Sequence, residues 1–201
     1  YEISACLVGS EMCIRDRDRM TEFNNYRLIL DELDHTLSHV DDTSYERFAN
    51  DVVGADRIFV AGKGRSGFVA NSFAMRLNQL GEHAYVVGES TTPSIKEHDL
   101  FIIISGSGST EHLRLLAEKA QKIGAKVVLI TTQTDSPIGE LAETIIELPA
   151  GTKHDIEGSK QPLGSLFEQA SLVFLDSVVL PLMEAFHINE ETMQQNHANL
   201  E

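Results

Sequence analysis

Within residues 26–40 the apolar positions Leu30, Leu33, Leu37 and Val40 recur at steps of three and four, the spacing of one helical face. That segment is predicted as an amphipathic helix, and residues 45–53 as a second. The period then changes. Arg57-Ile58-Phe59-Val60-Ala61 is a short β-rich run broken by Gly62, and a helical pattern over residues 66–80 stops at Gly81. The alternation continues with a strand at 83–87, a strongly apolar strand at 99–105, a helix at 110–123 closed by Gly124, and a strand at 126–131. A short helix is expected at 137–142, where Pro137 suits a helix start, and a fifth strand at 144–148. Residues 150–164 mix glycine and proline with polar residues and read as a loop over the site. Residues 166–186 read as a long helix whose last turns Pro181 would kink. Strands that are apolar throughout and alternate with helices predict a parallel sheet covered on both faces, with ligands beyond the carboxyl ends of its strands.

The chain has 201 residues, 42% of them hydrophobic, enough for one such domain with a full core. Its formal charge of −15 repels polyanions, and no basic cluster offsets it, so neither a nucleic acid nor an anionic membrane is expected as a partner. No apolar run in the sequence reaches the ~18 residues that would span a bilayer. A small phosphate remains compatible with that charge, because backbone N–H groups at a helix start act locally. Both cysteines, Cys6 and Cys13, lie in the first 19 residues, so the body of the chain has neither an internal disulfide nor a cysteine metal site. A cytoplasmic setting fits. Residues 1–19 carry the charged run Arg15-Asp16-Arg17-Asp18-Arg19 and read as a non-native or disordered leader, with one domain over residues 20–201.

Both conspicuous turns fall at the carboxyl ends of predicted strands. Gly62-Lys63-Gly64-Arg65-Ser66-Gly67 formally matches the glycine fingerprint of dinucleotide-binding folds, with Glu89 where a ribose-binding acid would be sought. A tight turn that needs only small residues is the competing reading. Ser105-Gly106-Ser107-Gly108-Ser109-Thr110 follows the most apolar strand and places four hydroxyls at a helix start, where hydroxyls and free N–H groups together cradle an anion. The plainer account is Ser109 as an N-cap with Glu111 in the first turn. Two such turns on one sheet edge suggest one phosphorylated ligand between them.

These turns, with Pro162-Leu163-Gly164-Ser165-Leu166-Phe167-Glu168 and the closing segment 195–201, resemble the sugar-isomerase (SIS) domain family, and within it the 6-phospho-3-hexuloisomerase branch. The likeness runs from about Met20 to Glu201. It implies a flavodoxin-like three-layer sandwich with a five-stranded parallel sheet, a homotetramer or homodimer, and a small-molecule sugar phosphate as ligand. The implied reaction interconverts 3-hexulose 6-phosphate and fructose 6-phosphate in the ribulose monophosphate pathway of formaldehyde fixation, coupled to a 3-hexulose-6-phosphate synthase.

Such chemistry asks for a base that moves a proton between adjacent carbons through an enediol(ate), and a carboxylate in a partly dry cleft suffices. Glu168, just inside the helix that begins near Ser165, is the candidate; the Ser-x-x-Glu spacing equally fits a capping box. His197 is the candidate for proton movement between substrate oxygens, in its own or a neighbouring subunit, with His154 in reserve; an ordinary exposed terminal histidine is the alternative. Gly62, Gly64, Arg65 and Ser66 are expected to line the sugar, with Arg65 also complementing charge. Ser105, Ser107, Ser109 and Thr110 are expected on the phosphate, whereas Lys63 reads as a solvated surface residue. No zinc-type histidine and carboxylate spacing appears, so neither metal nor cofactor is expected. The competing functions are an arabinose 5-phosphate isomerase, a non-catalytic sugar-phosphate-binding domain, and a nicotinamide-dependent oxidoreductase. Apolar residues on more than one face of the 166–183 helix point to an oligomer interface.

Overall fold

A computed structural model describes residues 23–151 and 159–200. The expected leader, residues 1–19, and the reserve histidine, His154, lie outside the described residues. Two helices open the fold, α1 (Asn25–Leu37) and α2 (Asp42–Val53). The alternating part follows: β1 (Ile58–Gly62), α3 (Arg65–Gln79), β2 (Ala84–Val86), β3 (Leu100–Ile104), α4 (Glu111–Ile123), β4 (Lys126–Thr131) and β5 (Thr144–Glu147). The chain closes with α5 (Ser165–Ala185) and α6 (Glu190–Gln195). All four strand pairings are parallel, in the order β2-β1-β3-β4-β5. This is the five-stranded doubly wound sheet the sequence predicts.

Side chains alternate across the sheet because successive Cβ atoms leave a strand on opposite faces. Val60, Ile102, Ile104, Val128 and Ile130 face one core, shared with α2, α3 and α5. Phe59, Ala61, Phe101, Ile103, Val127 and Leu129 face the other, covered by α4. Phe48 of α2 packs between Phe73 of α3 and Phe174 of α5, with tilted rings whose centroids are 6.2 and 5.6 Å away, and so ties three helices together. At the strands' amino ends Asp99, 2% exposed, takes Arg57 Nε and Nη2 at 3.0 and 2.6 Å and the Lys96 N–H at 2.6 Å.

Two expectations change in detail. The 137–142 helix is only a 3-10 turn at Gly139–Leu141, because the preceding loop turns back onto the second glycine-rich turn through Ile138 N–H to Gly108 O at 2.9 Å. Pro181 lies within the last turns of α5, which continues to Ala185. The segment Pro162–Ala185 also corrects the expectation that no run is long enough for a bilayer. Its 24 residues are long and apolar enough by length and composition to cross a membrane. Half of the apolar window is buried inside the protein, against α1 and α3 among others, which accounts for its composition.

Replacing Asp99 by Ala leaves Arg57 without its carboxylate and the Lys96 amide without an acceptor. The expected loss is about 3 kcal/mol of folding stability, read as a lower denaturation midpoint at unchanged slope.

Candidate functional site

The two glycine-rich turns start level with each other, because Gly62 at the end of β1 is in register with Ile104 at the end of β3. Gly62 is required by close approach: a Cβ there would lie 2.6 Å from the Ser66 carbonyl carbon and oxygen, so only glycine lets the strand end pack under the first turn of α3. In the second turn Gly108 has φ +58°, and a Cβ there would lie 2.1 Å from Ser136 Oγ. Any other residue would push the turn off the loop behind it.

Between the turns lies a cavity of about 310 Å³. Lys63, Gly64, Arg65 and Ser66 line it from the first turn, and Ser105, Gly106, Ser107 and Thr110 from the second. Leu163, Gly164, Phe167 and Glu168, from the entry to α5, close the third side. Thr110 is the N-cap of α4 but makes no side-chain capping bond, so the first-turn N–H groups of α4 keep their capacity for an anion. Ser109 is not that cap; its hydroxyl donates to Ser107 Oγ at 3.0 Å, a step back from the wall. Gly62 is likewise behind the lining. Lys63, expected at the solvated surface, is on the cavity wall while remaining exposed.

Glu168 reaches the cavity from the first turn of α5. Its helix is capped by Gly164, and Ser165 is occupied elsewhere: its hydroxyl donates to Pro162 O at 2.7 Å and accepts from Arg65 Nη1 at 2.9 Å. The Ser-x-x-Glu spacing is therefore no capping box. Glu168, 16% exposed, pairs with Arg65 through Nε at 2.9 Å, but off line for a hydrogen bond, which leaves the buried Oε2 with a countercharge and no hydrogen-bond donor. Burial pushes this carboxyl above its ordinary value, and the Arg65 guanidinium pulls it part of the way back. A carboxylate short of donors and partly desolvated is a stronger base than one in water.

The structure does not bring His197 to this cavity within one chain. The adjacent Asn196 binds Gln79 O at 3.0 Å, at the far end of α3 from Arg65, roughly 20 Å along a helix of that length. Glu89, the residue that would serve a dinucleotide, is exposed beyond β2 and outside the cavity lining. Among the described residues no three His, Cys, Asp or Glu side chains are grouped to hold a metal ion.

One supporting residue carries no sequence signal at all. Glu32 of α1 accepts from Ser159 Oγ, the Lys160 N–H and Gln161 Nε2 at 2.9, 2.8 and 2.9 Å, and so anchors the segment that leads into Leu163 and Gly164. Burial raises its carboxyl, but these donors together outweigh it and hold the group below its ordinary value. Past that anchor Leu163 adopts φ +57° and is 80% exposed at the cavity mouth, a costly geometry for a branched side chain.

Residues 52–174 match the family model of the SIS domain. A 3-hexulose-6-phosphate isomerase of Bacillus subtilis is 44% identical over 86% of this chain and 95% of its own. Another of that name, from Mycobacterium gastri, is 40% identical over 89% of this chain and 90% of its own. A Methanococcus jannaschii protein, whose crystal structure was taken to imply a molecular function of 3-hexulose-6-phosphate isomerase, superposes with a TM-score of 0.78 at 32% identity, over 88% of this chain and 99% of that one.

The raised titration of Glu168 fixes a sign. The folded state holds its proton more tightly than the unfolded state, so this group's effect on stability turns unfavourable as pH rises from the ordinary glutamate value through the raised one. Glu168→Gln is expected to be more stable than wild type at pH 7, with the gap closing below about pH 4; denaturant midpoints across that range check it.

Proposed function

Because the chain belongs to the SIS domain family, we infer that it is a 3-hexulose-6-phosphate isomerase, which interconverts 3-hexulose 6-phosphate and fructose 6-phosphate. One observation carries the reading. Two small-residue turns at adjacent strand ends open onto a single cavity that also holds a desolvated glutamate. The serine-rich turn suits the phosphate, through the hydroxyls of Ser105, Ser107 and Thr110 and the N-terminal amides of α4, with Ser109 supporting Ser107. Gly64 and Ser66 line the sugar, and Gly62 keeps the first turn close to α3.

In the mechanism we propose, Glu168 removes the proton from C2 of 3-hexulose 6-phosphate, leaving an enediolate across C2 and C3, and returns it to C3 as the carbonyl forms at C2. A second group moves a proton between O2 and O3. Arg65 stands beside Glu168, keeps it ionised between turnovers, and can face the negative charge that develops on the oxygens. No step requires a metal or a redox cofactor, since the carbon oxidation levels exchange within one molecule.

His197 enters this proposal only through a second copy. Phe68 and Met75 of α3 and Leu180 of α5 are exposed apolar residues, which supports a homo-oligomer built on this side of the fold. The tail of one subunit then supplies His197 to the cavity of another. The absence of cysteine from residues 20–201 supports a reducing, cytoplasmic setting, and the reaction supports a place in formaldehyde fixation, after a synthase that makes 3-hexulose 6-phosphate.

Purified protein incubated with 3-hexulose 6-phosphate is expected to form fructose 6-phosphate without added cofactor, and to leave arabinose 5-phosphate unchanged. Glu168→Gln should lower kcat by about 100-fold or more while binding fructose 6-phosphate within a few fold of wild type. Equal turnover would remove Glu168 from the mechanism. Mixing and reassembling Glu168→Gln with His197→Ala subunits should restore part of the activity lost in each, because a mixed oligomer contains sites with both groups intact; no gain on mixing would confine His197 to another role.

A further inference from the structure

The serine-rich turn is held from behind by residues that do not touch the cavity. The Gly106 carbonyl oxygen accepts from the Thr132 N–H at 3.1 Å, from Thr132 Oγ1 at 2.8 Å and from Thr131 Oγ1 at 3.0 Å. An amide oxygen offers two lone pairs, so three donors saturate it. Thr131 shares its single proton with Gln133 O at 3.2 Å, whereas the Thr132 hydroxyl has Gly106 as its one acceptor among the described residues. This concentration of donors on one carbonyl lies just beyond the last register pair of β3 and β4, Ile104 with Ile130, and two of the three donors are side-chain hydroxyls that a sheet ladder does not need.

Its consequence follows from the planarity of the peptide. No described peptide bond is cis, so the Ser107 N–H points opposite to the Gly106 C=O. The carbonyl faces the β4 side, where Thr131 and Thr132 sit. The N–H therefore faces the β1 side, and β1 is the neighbour of β3 whose following turn carries Gly64, Arg65 and Ser66. Gly106 and Ser107 line the cavity, Thr131 and Thr132 do not, and no acceptor among the described residues takes the Ser107 N–H. A turn this rich in glycine can otherwise rotate its peptides at little cost.

We propose that Thr132 is a positioning residue for the isomerase: with Thr131 it locks the Gly106–Ser107 peptide so that the Ser107 N–H is aimed at the phosphate of the substrate. The inference rests on the sugar-phosphate reading of the site and adds to it a donor and the side chain that holds that donor in place. A preoriented amide helps ground state and transition state alike, since the phosphate does not react. Its loss therefore appears in KM and in ligand affinity, and kcat is nearly unmoved.

The test compares wild type, Thr132→Val and Thr132→Ser by calorimetric titration with fructose 6-phosphate and with inorganic phosphate, alongside kcat and KM. Thr132→Val removes the hydroxyl and keeps the shape; it should weaken both ligands about fivefold and raise KM by the same factor, with kcat within about twofold, as expected for one hydrogen bond of three. Thr132→Ser restores the hydroxyl and should return each value to within about twofold of wild type. Phosphate added to 15N-labelled wild type should move the Ser107 amide proton downfield, a signature that needs no variant and decides the matter if Thr132→Val fails to fold. Unchanged affinity in Thr132→Val, an equal loss in the serine variant, or a Ser107 amide that ignores phosphate overturns the proposal. Wild type that binds phosphate at Ser107 without isomerising 3-hexulose 6-phosphate removes the functional reading and leaves this inference standing, whereas wild type that binds no phosphate removes both.

Discussion

The site depends on the parallel pairing of β1 with β3, which sets Gly62 opposite Ile104. The two strands are not consecutive: the chain leaves β1, adds β2 on one side, then crosses to form β3 on the other. At such a reversal the connections diverge to opposite faces of the sheet, and a crevice is left between them. Here α3 departs onto one face and α4 onto the other, as their separate cores record. Each departure begins with a small-residue turn. A one-residue slip of this register would reverse the faces of one strand's side chains and move the turns out of step, so the same apolar contacts that stabilise the sheet also hold the crevice.

The third wall comes from distant sequence. The amino end of α5 reaches the crevice because Leu166, Phe167, Ala170 and Phe174 pack into the core over α3, and Phe167 lies against Gly106, with 3.2 Å from its Cδ1 to the position of a Cβ there. This packing puts Glu168 beside Arg65, and the charge balance at that point sets the basicity of the carboxylate. Burial favours its neutral form, and Arg65 favours its charged form without completing a hydrogen bond to Oε2. A full set of donors would have produced a stable, weakly basic carboxylate; an apolar wall alone would have kept it protonated. The net charge of −15 is compatible with an anionic substrate because Lys63, Arg65 and the amides of α4 concentrate positive potential at the cavity.

Much of this arrangement was legible along the chain, and for a definite reason. Runs such as Leu100-Phe101-Ile102-Ile103-Ile104 are buried on both faces, and glycine marks the exits, so strands and turns leave a local imprint. Glu168 stands out in the sequence from its place at a helix start, and the structure puts it on the cavity wall, although the spacing that suggested a cap proved incidental. What sequence reasoning missed acts over long separations. Glu32 grips residues 159–161 from α1, and Thr132 locks a peptide 26 residues earlier. Neither has a periodicity or motif, because each depends on where two elements meet. The position of the tail was also hidden: α6 and Asn196 dock at the remote end of α3, which puts His197 far from its own chain's cavity.

The most direct measurement is a crystal structure with fructose 6-phosphate bound. The phosphate oxygens are expected within hydrogen-bonding reach of Ser105, Ser107 and Thr110 at the amino end of α4, and the C2–C3 bond within reach of a Glu168 carboxylate oxygen. A phosphate seated outside this cavity, or a sugar whose C2 and C3 lie turned away from Glu168, would contradict it.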